Sequence, residues 1–137
     1  MNSLESYKSL DSWTSFLAKG KDAKRFLNGQ LTNDVSKLSD NEFQLTSRVS
    51  RTGQLTHYGY LLRISEEIFK MITPVNLCDS FIADLDKFLI MDDLELEKIS
   101  ESISISFNDE DILKSDFRLE FLGEPAGLRF SESKEPI

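Results

Sequence analysis

The sequence is short of the residues that most often build chemical sites. It contains one cysteine, one histidine and one tryptophan among 137 residues. A single cysteine excludes an intramolecular disulfide, and one cysteine with one histidine excludes a zinc-finger type of ligand cluster. The sequence also has no glycine-rich phosphate-binding motif, so nucleotide hydrolysis has no support.

Long apolar runs are missing as well. No stretch approaches the roughly 20 apolar residues that a membrane-spanning helix needs. Residues 1–5 lack the basic segment and apolar core that are typical of a secretory signal. We therefore expect a cytoplasmic protein without a membrane partner. The length favours one domain, which we place at residues 1–130, followed by a polar tail at 131–137.

The net charge of −8 is unevenly distributed along the chain. Residues 1–63 contain nine Lys/Arg and six Asp/Glu, whereas residues 64–137 contain seven and eighteen. The overall acidity argues against direct, non-specific binding of nucleic acid, which requires neutralisation of phosphates. The basic side chains of the first half either attract an anionic ligand or are solvated surface charges. The seven considered for an anionic ligand are Lys19, Lys21, Lys24, Arg25, Arg48, Arg51 and Arg63.

Helical spacing of apolar residues predicts a first helix over about residues 22–29. Ala23, Phe26, Leu27 and Leu31 fall on one face of it, and Asp22 is a suitable N-cap. A second helix is predicted to start at 73–74, where a capping threonine precedes a proline, and to run to about residue 89 or 90. Cys78 lies on the apolar face of this helix, which indicates a buried, unreactive thiol.

Alternating patterns predict strands on both sides of that second helix. Strands over residues 43–49, 54–64 and 68–72 are expected to pair as an antiparallel meander, with the apolar residues of 43–49 buried. Further strands are expected near 94–97, 103–107 and 117–121. Residues 92–93 are read as a helix stop, 108–111 as a solvated acidic turn and 123–127 as a loop. The mixture predicts an α+β fold, an antiparallel sheet packed with two main helices.

Three segments carry a family resemblance. Residues 20–38 read GKDAKRFLNGQLTNDVSKL, residues 50–55 read SRTGQL, and residues 79–96 contain DKFLIMDDLEL. In this order they resemble the tetrahydrofolate-binding fold of YgfZ-type proteins and of the N-terminal domain of the glycine-cleavage T-protein. The resemblance covers about residues 13–98. It implies that fold for this chain, and tetrahydrofolate or a derivative of it as the cofactor.

The resemblance and the polar side chains together suggest a set of binding residues. They are Gln30, Thr32, Asn33, Asp34, Arg51, Gly53 and Tyr58. Amide and carboxylate groups match the alternating donors and acceptors of a pterin edge, and an arginine pairs well with a glutamyl carboxylate. Each has a structural alternative: Thr32 and Asn33 as caps of the next short helix, Arg51 as an exposed turn residue, and Tyr58 packed on its neighbours.

The resemblance also limits the expected activity. The aspartates that serve folate chemistry in the T-protein motif are missing, because His57 and Tyr58 stand at that place. A lone strand histidine is usually structural, and the sequence assigns it no serine or cysteine partner. We therefore expect no catalytic residues. The K-G-C-Y-x-G-Q-E signature of YgfZ-type proteins is also missing from the sequence, which implies a shortened relative or a fragment.

Two functions follow, with a distant third. The first is a non-catalytic, folate-binding accessory protein linked to assembly or repair of iron–sulfur clusters, with iron–sulfur enzymes as client proteins. The second is a protein–protein interaction module that keeps the fold without the ligand. It would form a homodimer, as a similar domain of a tRNA-modifying enzyme does, or bind a chain that supplies the missing half. Aminomethyl transfer is the third.

Overall fold

A computed structural model describes residues 6–132, apart from the side chain of Glu132. These residues form two compact units. Residues 12–99 make up the central unit, and residues 6–11 with 100–132 make up the terminal unit. The segment examined for a signal peptide, 1–5, lies outside the described residues. So does most of the predicted polar tail, of which residues 131 and 132 end a strand.

The described part of the chain contains nine strands, three α-helices and one 3-10 turn. In chain order they are β1 (Lys8–Ser9), β2 (Trp13–Lys19), α1 (Ala23–Gln30), the 3-10 turn (Val35–Lys37), β3 (Phe43–Val49), β4 (Leu55–Ser65), β5 (Ile68–Pro74), α2 (Val75–Asp86), β6 (Glu95–Lys98), β7 (Glu101–Ser106), α3 (Asp109–Lys114), β8 (Phe117–Phe121) and β9 (Glu124–Glu132).

The central unit is a five-stranded antiparallel sheet with two helices. The strand order is β3-β4-β5-β2-β6, so the predicted meander of β3, β4 and β5 is confirmed. Both helices contribute to one core with the sheet. Ala23, Phe26 and Leu27 of α1 are buried at the predicted helical spacing, and Phe81 of α2 meets Phe16 of β2 edge to face. The α+β class predicted from the sequence is confirmed.

Both predicted N-caps are wrong, because each side chain has a partner distant in sequence. The Asp22 carboxylate accepts the backbone N–H of Asp93 at 2.7 Å and makes no cap to α1. Thr73 lies within β5 and its hydroxyl donates to the carbonyl of Tyr58 at 2.8 Å. Helix α2 begins after Pro74 and already ends at Asp86, so residues 92–93 do not stop it.

The burial of β3 is the reverse of the prediction. Leu45 and Val49 are 56% and 50% exposed, whereas Thr46 and Arg48 are buried. The strand is the edge of the sheet, and its helix-facing side is covered by polar groups at the end of α1 and in the segment that follows it. Gln44, Thr46 and Arg48 therefore lie on the inner face, whereas Leu45, Ser47 and Val49 lie on the outer one.

The terminal unit contains a four-stranded antiparallel sheet in the order β1-β7-β9-β8. The predicted loop at 123–127 is wrong: Leu122 and Gly123 form the turn with positive φ angles, and β9 begins at Glu124. The acidic segment 108–111 is also not a solvated turn. Asn108 caps α3, and Asp111 is buried, where its carboxylate accepts from the Ser106 hydroxyl at 2.6 Å.

No helix within residues 6–132 combines the length and apolar character needed to cross a bilayer.

Candidate functional site

A groove of about 430 Å³ lies at the β3 end of the central sheet. Register places Ser47 beside Tyr58 across β3 and β4, so these two side chains share one face. Leu45 lies two residues before Ser47 on the same face, and Leu55 follows the turn. The groove is lined by Thr32, Asn33, Leu45, Thr46, Ser47, Leu55 and Tyr58. It thus combines an apolar and aromatic floor with a polar rim.

The polar rim is held by hydrogen bonds to the edge strand. The backbone N–H of Thr32 donates to the Ser47 carbonyl at 2.9 Å, and Thr32 Oγ1 accepts the N–H of Ser47 at 3.2 Å. Asn33 Nδ2 donates to the carbonyl of Leu45. Neither residue caps the 3-10 turn, so that alternative from the sequence is wrong. The segment instead closes the edge of β3 and positions both side chains at the groove.

Gln30 and Asp34 are predicted binding residues from the same segment as Thr32 and Asn33, but they do not line the groove. The Gln30 side-chain and backbone oxygens each accept from Arg48 Nη1 at 3.0 Å. The Asp34 carboxylate caps the 3-10 turn by accepting the N–H of Ser36 at 3.1 Å. This pairing with Ser36 lowers the pKa of Asp34 below its usual value, although partial burial opposes the shift.

Arg51 and Gly53 lie in the turn between β3 and β4. Gly53 has a φ of +85°, a conformation that other residues resist, and its N–H donates to the Ser50 carbonyl at 2.9 Å. Arg51 is exposed and is not part of the groove lining, although Leu55, four residues on, is. The structure therefore gathers three of the seven predicted residues, Thr32, Asn33 and Tyr58, in one groove.

Tyr58 and Tyr60 of β4 pack against the ring of Trp13. The Trp13 ring lies 6.0 Å from the Tyr58 ring, edge to face, and 5.9 Å from that of Tyr60. Tyr58 is half-buried, so part of its ring is supported by Trp13 while it also borders the groove. A supported ring of this kind is a firm surface on which a flat ligand can stack.

The opposite face of β3 and β4 carries a polar cluster that the sequence did not reveal. Arg48 Nε donates to Asp84 of α2 at 2.8 Å, and the Phe88 ring lies 5.5 Å from the guanidinium. Burial tends to raise the pKa of Asp84, but the hydrogen bond and charge of Arg48 outweigh it and leave the pKa low. The one available signal was a charged residue in a strand pattern, and its partner lies 36 residues away.

His57 belongs to the same face and has a serine partner. Its Nε2 lies 2.9 Å from Ser80 Oγ, its Nδ1 lies 3.0 Å from Thr56 Oγ1, and its ring stacks on Phe81. Burial lowers the pKa of His57, which Asp84 partly offsets and Arg48 reinforces. The contact between His57 and Ser80 links β4 to α2. The Ser80 hydroxyl also donates to the Leu77 carbonyl of its own helix at 3.2 Å.

Two further features concern reactive or metal-binding groups. Cys78 is fully buried in the core, where burial raises the pKa of its thiol. This confirms the predicted burial of the cysteine, and its lack of reactivity stays a prediction. Among residues 6–132, no three His, Cys, Asp or Glu side chains lie close enough to hold a metal ion. The groove lining itself contains only hydroxyl, amide, phenol and apolar groups.

Comparisons with known proteins agree with the fold. No protein-family model matches the chain. An uncharacterized protein of Haemophilus influenzae is 26% identical over 87 residues, which cover 64% of this chain and 31% of the relative. Proteins named tRNA-modifying protein YgfZ, from an Enterobacter species and from Photorhabdus laumondii, are 25% and 27% identical. They match 69% and 64% of this chain and 29% and 26% of their own length.

A solved structure shows the same architecture. The glycine cleavage system aminomethyltransferase T from Bartonella henselae superposes with a TM-score of 0.68 at 14% identity, over 72% of this chain and 27% of that protein. This chain thus spans less than a third of the relatives it matches. The resemblance predicted from the motifs is confirmed: the chain is similar in sequence to YgfZ-type proteins and shares its fold with the glycine cleavage aminomethyltransferase T.

Proposed function

We propose that the central unit binds a reduced folate in the groove beside β3, as a non-catalytic accessory protein. The observation that carries this proposal is the pairing of an exposed apolar floor with a hydrogen-bonding rim. Leu45 is 56% and Leu55 is 61% exposed, and both flank the supported ring of Tyr58. A groove of 430 Å³ is within the range of small-molecule sites.

The rim offers groups that a pterin ring recognises. The Ser47 hydroxyl shares one hydrogen bond with Thr32 Oγ1 at 2.9 Å and keeps further hydrogen-bonding capacity, and Asn33 Oδ1 accepts no hydrogen bond from any described residue. A pterin edge alternates donors and acceptors, so these two groups match two of its positions while the ring covers Leu45. We place the glutamyl tail toward Arg51, which lies at the same end of β4 as Leu55.

The groove favours binding over catalysis. Its lining carries no carboxylate, imidazole or thiol, so it offers no general acid or base near neutral pH. Aminomethyl transfer by these residues is therefore not part of the proposal. The role of Gln30 and Asp34 is limited to shaping the segment that holds Thr32 and Asn33, since their side chains are engaged elsewhere.

The wider role follows from the relatives rather than from the groove. Two of them are named tRNA-modifying proteins, and the family resemblance links folate binding with iron–sulfur enzymes. We propose that the folate-loaded chain assists such enzymes. Cells lacking the chain should then lose activity of iron–sulfur enzymes that modify tRNA, and a chain with a blocked groove should fail to restore it.

Calorimetric titration of the 137-residue chain with 5-formyltetrahydrofolate tests the binding step. Leu45→Ser removes part of the floor and should weaken binding about tenfold, since each buried methylene contributes about 0.8 kcal/mol. Leu113→Ser is the matched control, because Leu113 is 71% exposed but lies in the terminal unit. Absence of saturable binding at millimolar folate, or equal loss in both variants, would contradict the proposal.

A second candidate function, protein–protein interaction without a ligand, is favoured by the segment after α2. Phe88, Ile90 and Met91 are 49%, 84% and 92% exposed in that segment. Three large apolar side chains so exposed within four residues are typical of a contact surface. Ile90→Ser with Met91→Ser should abolish self-association in light scattering if a second copy of the chain covers it. If the native chain and the double variant have the same mass in solution, homodimerisation through this segment is removed from consideration.

A further inference from the structure

A second cavity, of about 330 Å³, lies in the terminal unit where α3 leads into β8 beside β9. Its apolar wall contains Phe117 and Phe130, whose rings meet edge to face at 5.2 Å, and the buried Leu128. The lining also contains four charged groups, Asp111, Lys114, Asp116 and Arg129. Tyr7 also lines the cavity, beside Arg129.

The cavity has two positive groups. The Arg129 guanidinium lies 4.0 Å from the centre of the Tyr7 ring, which holds it in a cation–π contact at the wall. Lys114 is the last residue of α3 and is exposed. Hydrogen bonds from Ser106 and from the backbone of Ser6 lower the pKa of Asp111, and the charges of Arg129 and Lys114 lower it further. Both cations line the cavity together with Asp111.

The two carboxylates that line the cavity differ in burial and in their hydrogen bonds. Asp111 is buried, and its carboxylate is engaged by the Ser106 hydroxyl at 2.6 Å and the Ser6 N–H at 2.8 Å. Asp116 is exposed and makes no hydrogen bond or ion pair with any residue between 6 and 132, and the same holds for Lys114. Lys114, whose charge acts on Asp111, and Asp116 thus border one cavity without an ion pair between them.

A cavity with this arrangement is complementary to a small zwitterion. A carboxylate reaches Lys114, with Arg129 beside it, while an ammonium group reaches Asp116. The phenylalanine pair then receives an apolar or aromatic side chain by edge-to-face packing. A polyanion fits poorly, because the cavity is bordered by as many carboxylates as cations. We propose that this cavity binds a free α-amino acid with a large apolar side chain.

The proposal is independent of folate binding, since the groove lies in the central unit. Titration of the full chain with L-phenylalanine, followed by ligand-observed NMR, is the direct test. We expect saturable binding that is unchanged by excess 5-formyltetrahydrofolate. Phenethylamine lacks the carboxylate and 3-phenylpropionate lacks the ammonium group, so each should bind at least tenfold more weakly than L-phenylalanine.

Charge-removing variants locate the site. Lys114→Gln and Asp116→Asn should each weaken binding of L-phenylalanine at least tenfold, and both side chains are exposed, so the fold should be kept. Lys21→Gln and Asp86→Asn are the controls, because both are exposed residues of the central unit. Lack of saturable binding, equal affinity for 3-phenylpropionate, or equal affinity in the Lys114 and Asp116 variants would overturn the proposal.

Discussion

Thr32 closes the free edge of the central sheet by bonding one residue, Ser47. Its N–H donates to the Ser47 carbonyl at 2.9 Å, its Oγ1 accepts the Ser47 N–H at 3.2 Å, and the two hydroxyl oxygens lie 2.9 Å apart. An edge strand with unpaired backbone groups invites pairing with another chain. The residue that rims the proposed folate groove therefore also protects the strand beside it.

Thr32→Val should destabilise the chain by about 1–2 kcal/mol. The substitution keeps the shape of the side chain but removes Oγ1, which leaves the Ser47 N–H without its acceptor. Thr32→Ser keeps that oxygen and should remain within about 0.5 kcal/mol of the native chain. Urea denaturation monitored by circular dichroism measures both, and equal stability of the valine and serine variants would contradict the role given to Oγ1.

The Arg48–Asp84 pair should show a strong coupling between α2 and the edge strand. The arginine side chain is 8% exposed and the aspartate 29%. Asp84→Asn leaves a buried guanidinium without its charge partner, so we expect a loss of about 1–3 kcal/mol, less than for a fully buried pair. Asp86→Asn, at an exposed position of the same helix, should be nearly neutral.

A double-mutant cycle separates this coupling from general damage. Arg48→Met should also destabilise, but combined with Asp84→Asn it should cost less than the sum, with a coupling of about 0.5–3 kcal/mol. Additive losses would mean that the two side chains act independently. The measurement is the free energy of unfolding in urea for the four proteins, at a pH near 7 where both groups are charged.

The parts of the fold that the sequence predicted are those governed by local spacing. Ala23, Phe26 and Leu27 form a buried stripe because a helix brings such positions to one face. The three-strand meander followed from alternation and from the turn at Gly53, where a positive φ is required. The family motifs reinforced these predictions. Three of the binding residues proposed from the sequence line one groove.

The rest depended on partners that lie far apart in the sequence. Asp22 has the sequence position of a cap, but its carboxylate bonds the Asp93 backbone 71 residues away. The outward face of β3 could not be predicted, because alternation identifies two faces but not which of them is covered. Arg48 is buried where α2 supplies Asp84 and the end of α1 supplies Gln30 as partners. Such pairings decide burial, and no local pattern contains them.

The single histidine should make stability fall on mild acidification. The pKa of His57 lies below its ordinary value of 6.5, chiefly because of burial. Since the unfolded chain then binds the proton more tightly, this contribution to stability is present above pH 6.5 and is lost as the pH falls through the folded-state pKa. A tenfold difference in proton affinity corresponds to about 1.4 kcal/mol.

His57→Gln should remove this dependence of the free energy of unfolding on pH. The free energy of unfolding of the native chain should drop more between pH 7.5 and 5 than that of the variant, because the carboxyl groups with lowered pKa values lose their contribution only below about pH 5. NMR titration of the one imidazole gives the folded-state pKa directly. Parallel pH profiles for the two proteins would show that the histidine is not protonated differently in the two states.

Two glycines should respond in opposite directions to the same substitution. A Cβ on Gly59 of β4 would lie 2.5 Å from the Ile72 carbonyl oxygen and 2.9 Å from the Met71 sulfur, so the β4–β5 pairing must shift. We expect Gly59→Ala to cost more than about 2 kcal/mol, in line with other overpacked core positions. The backbone oxygen cannot give way without breaking the sheet that carries Tyr58.

Gly29 is the matched control, because a Cβ there meets nothing within 4 Å and the residue lies in helix α1. Gly29→Ala should stabilise the chain by about 0.5–1 kcal/mol, since alanine has the higher helix propensity. It should also leave folate affinity unchanged, although Gly29 belongs to the Asn-Gly-Gln part of the family motif, because it does not line the groove. A loss of folate affinity without a loss of stability in this variant would mean that the site extends across α1.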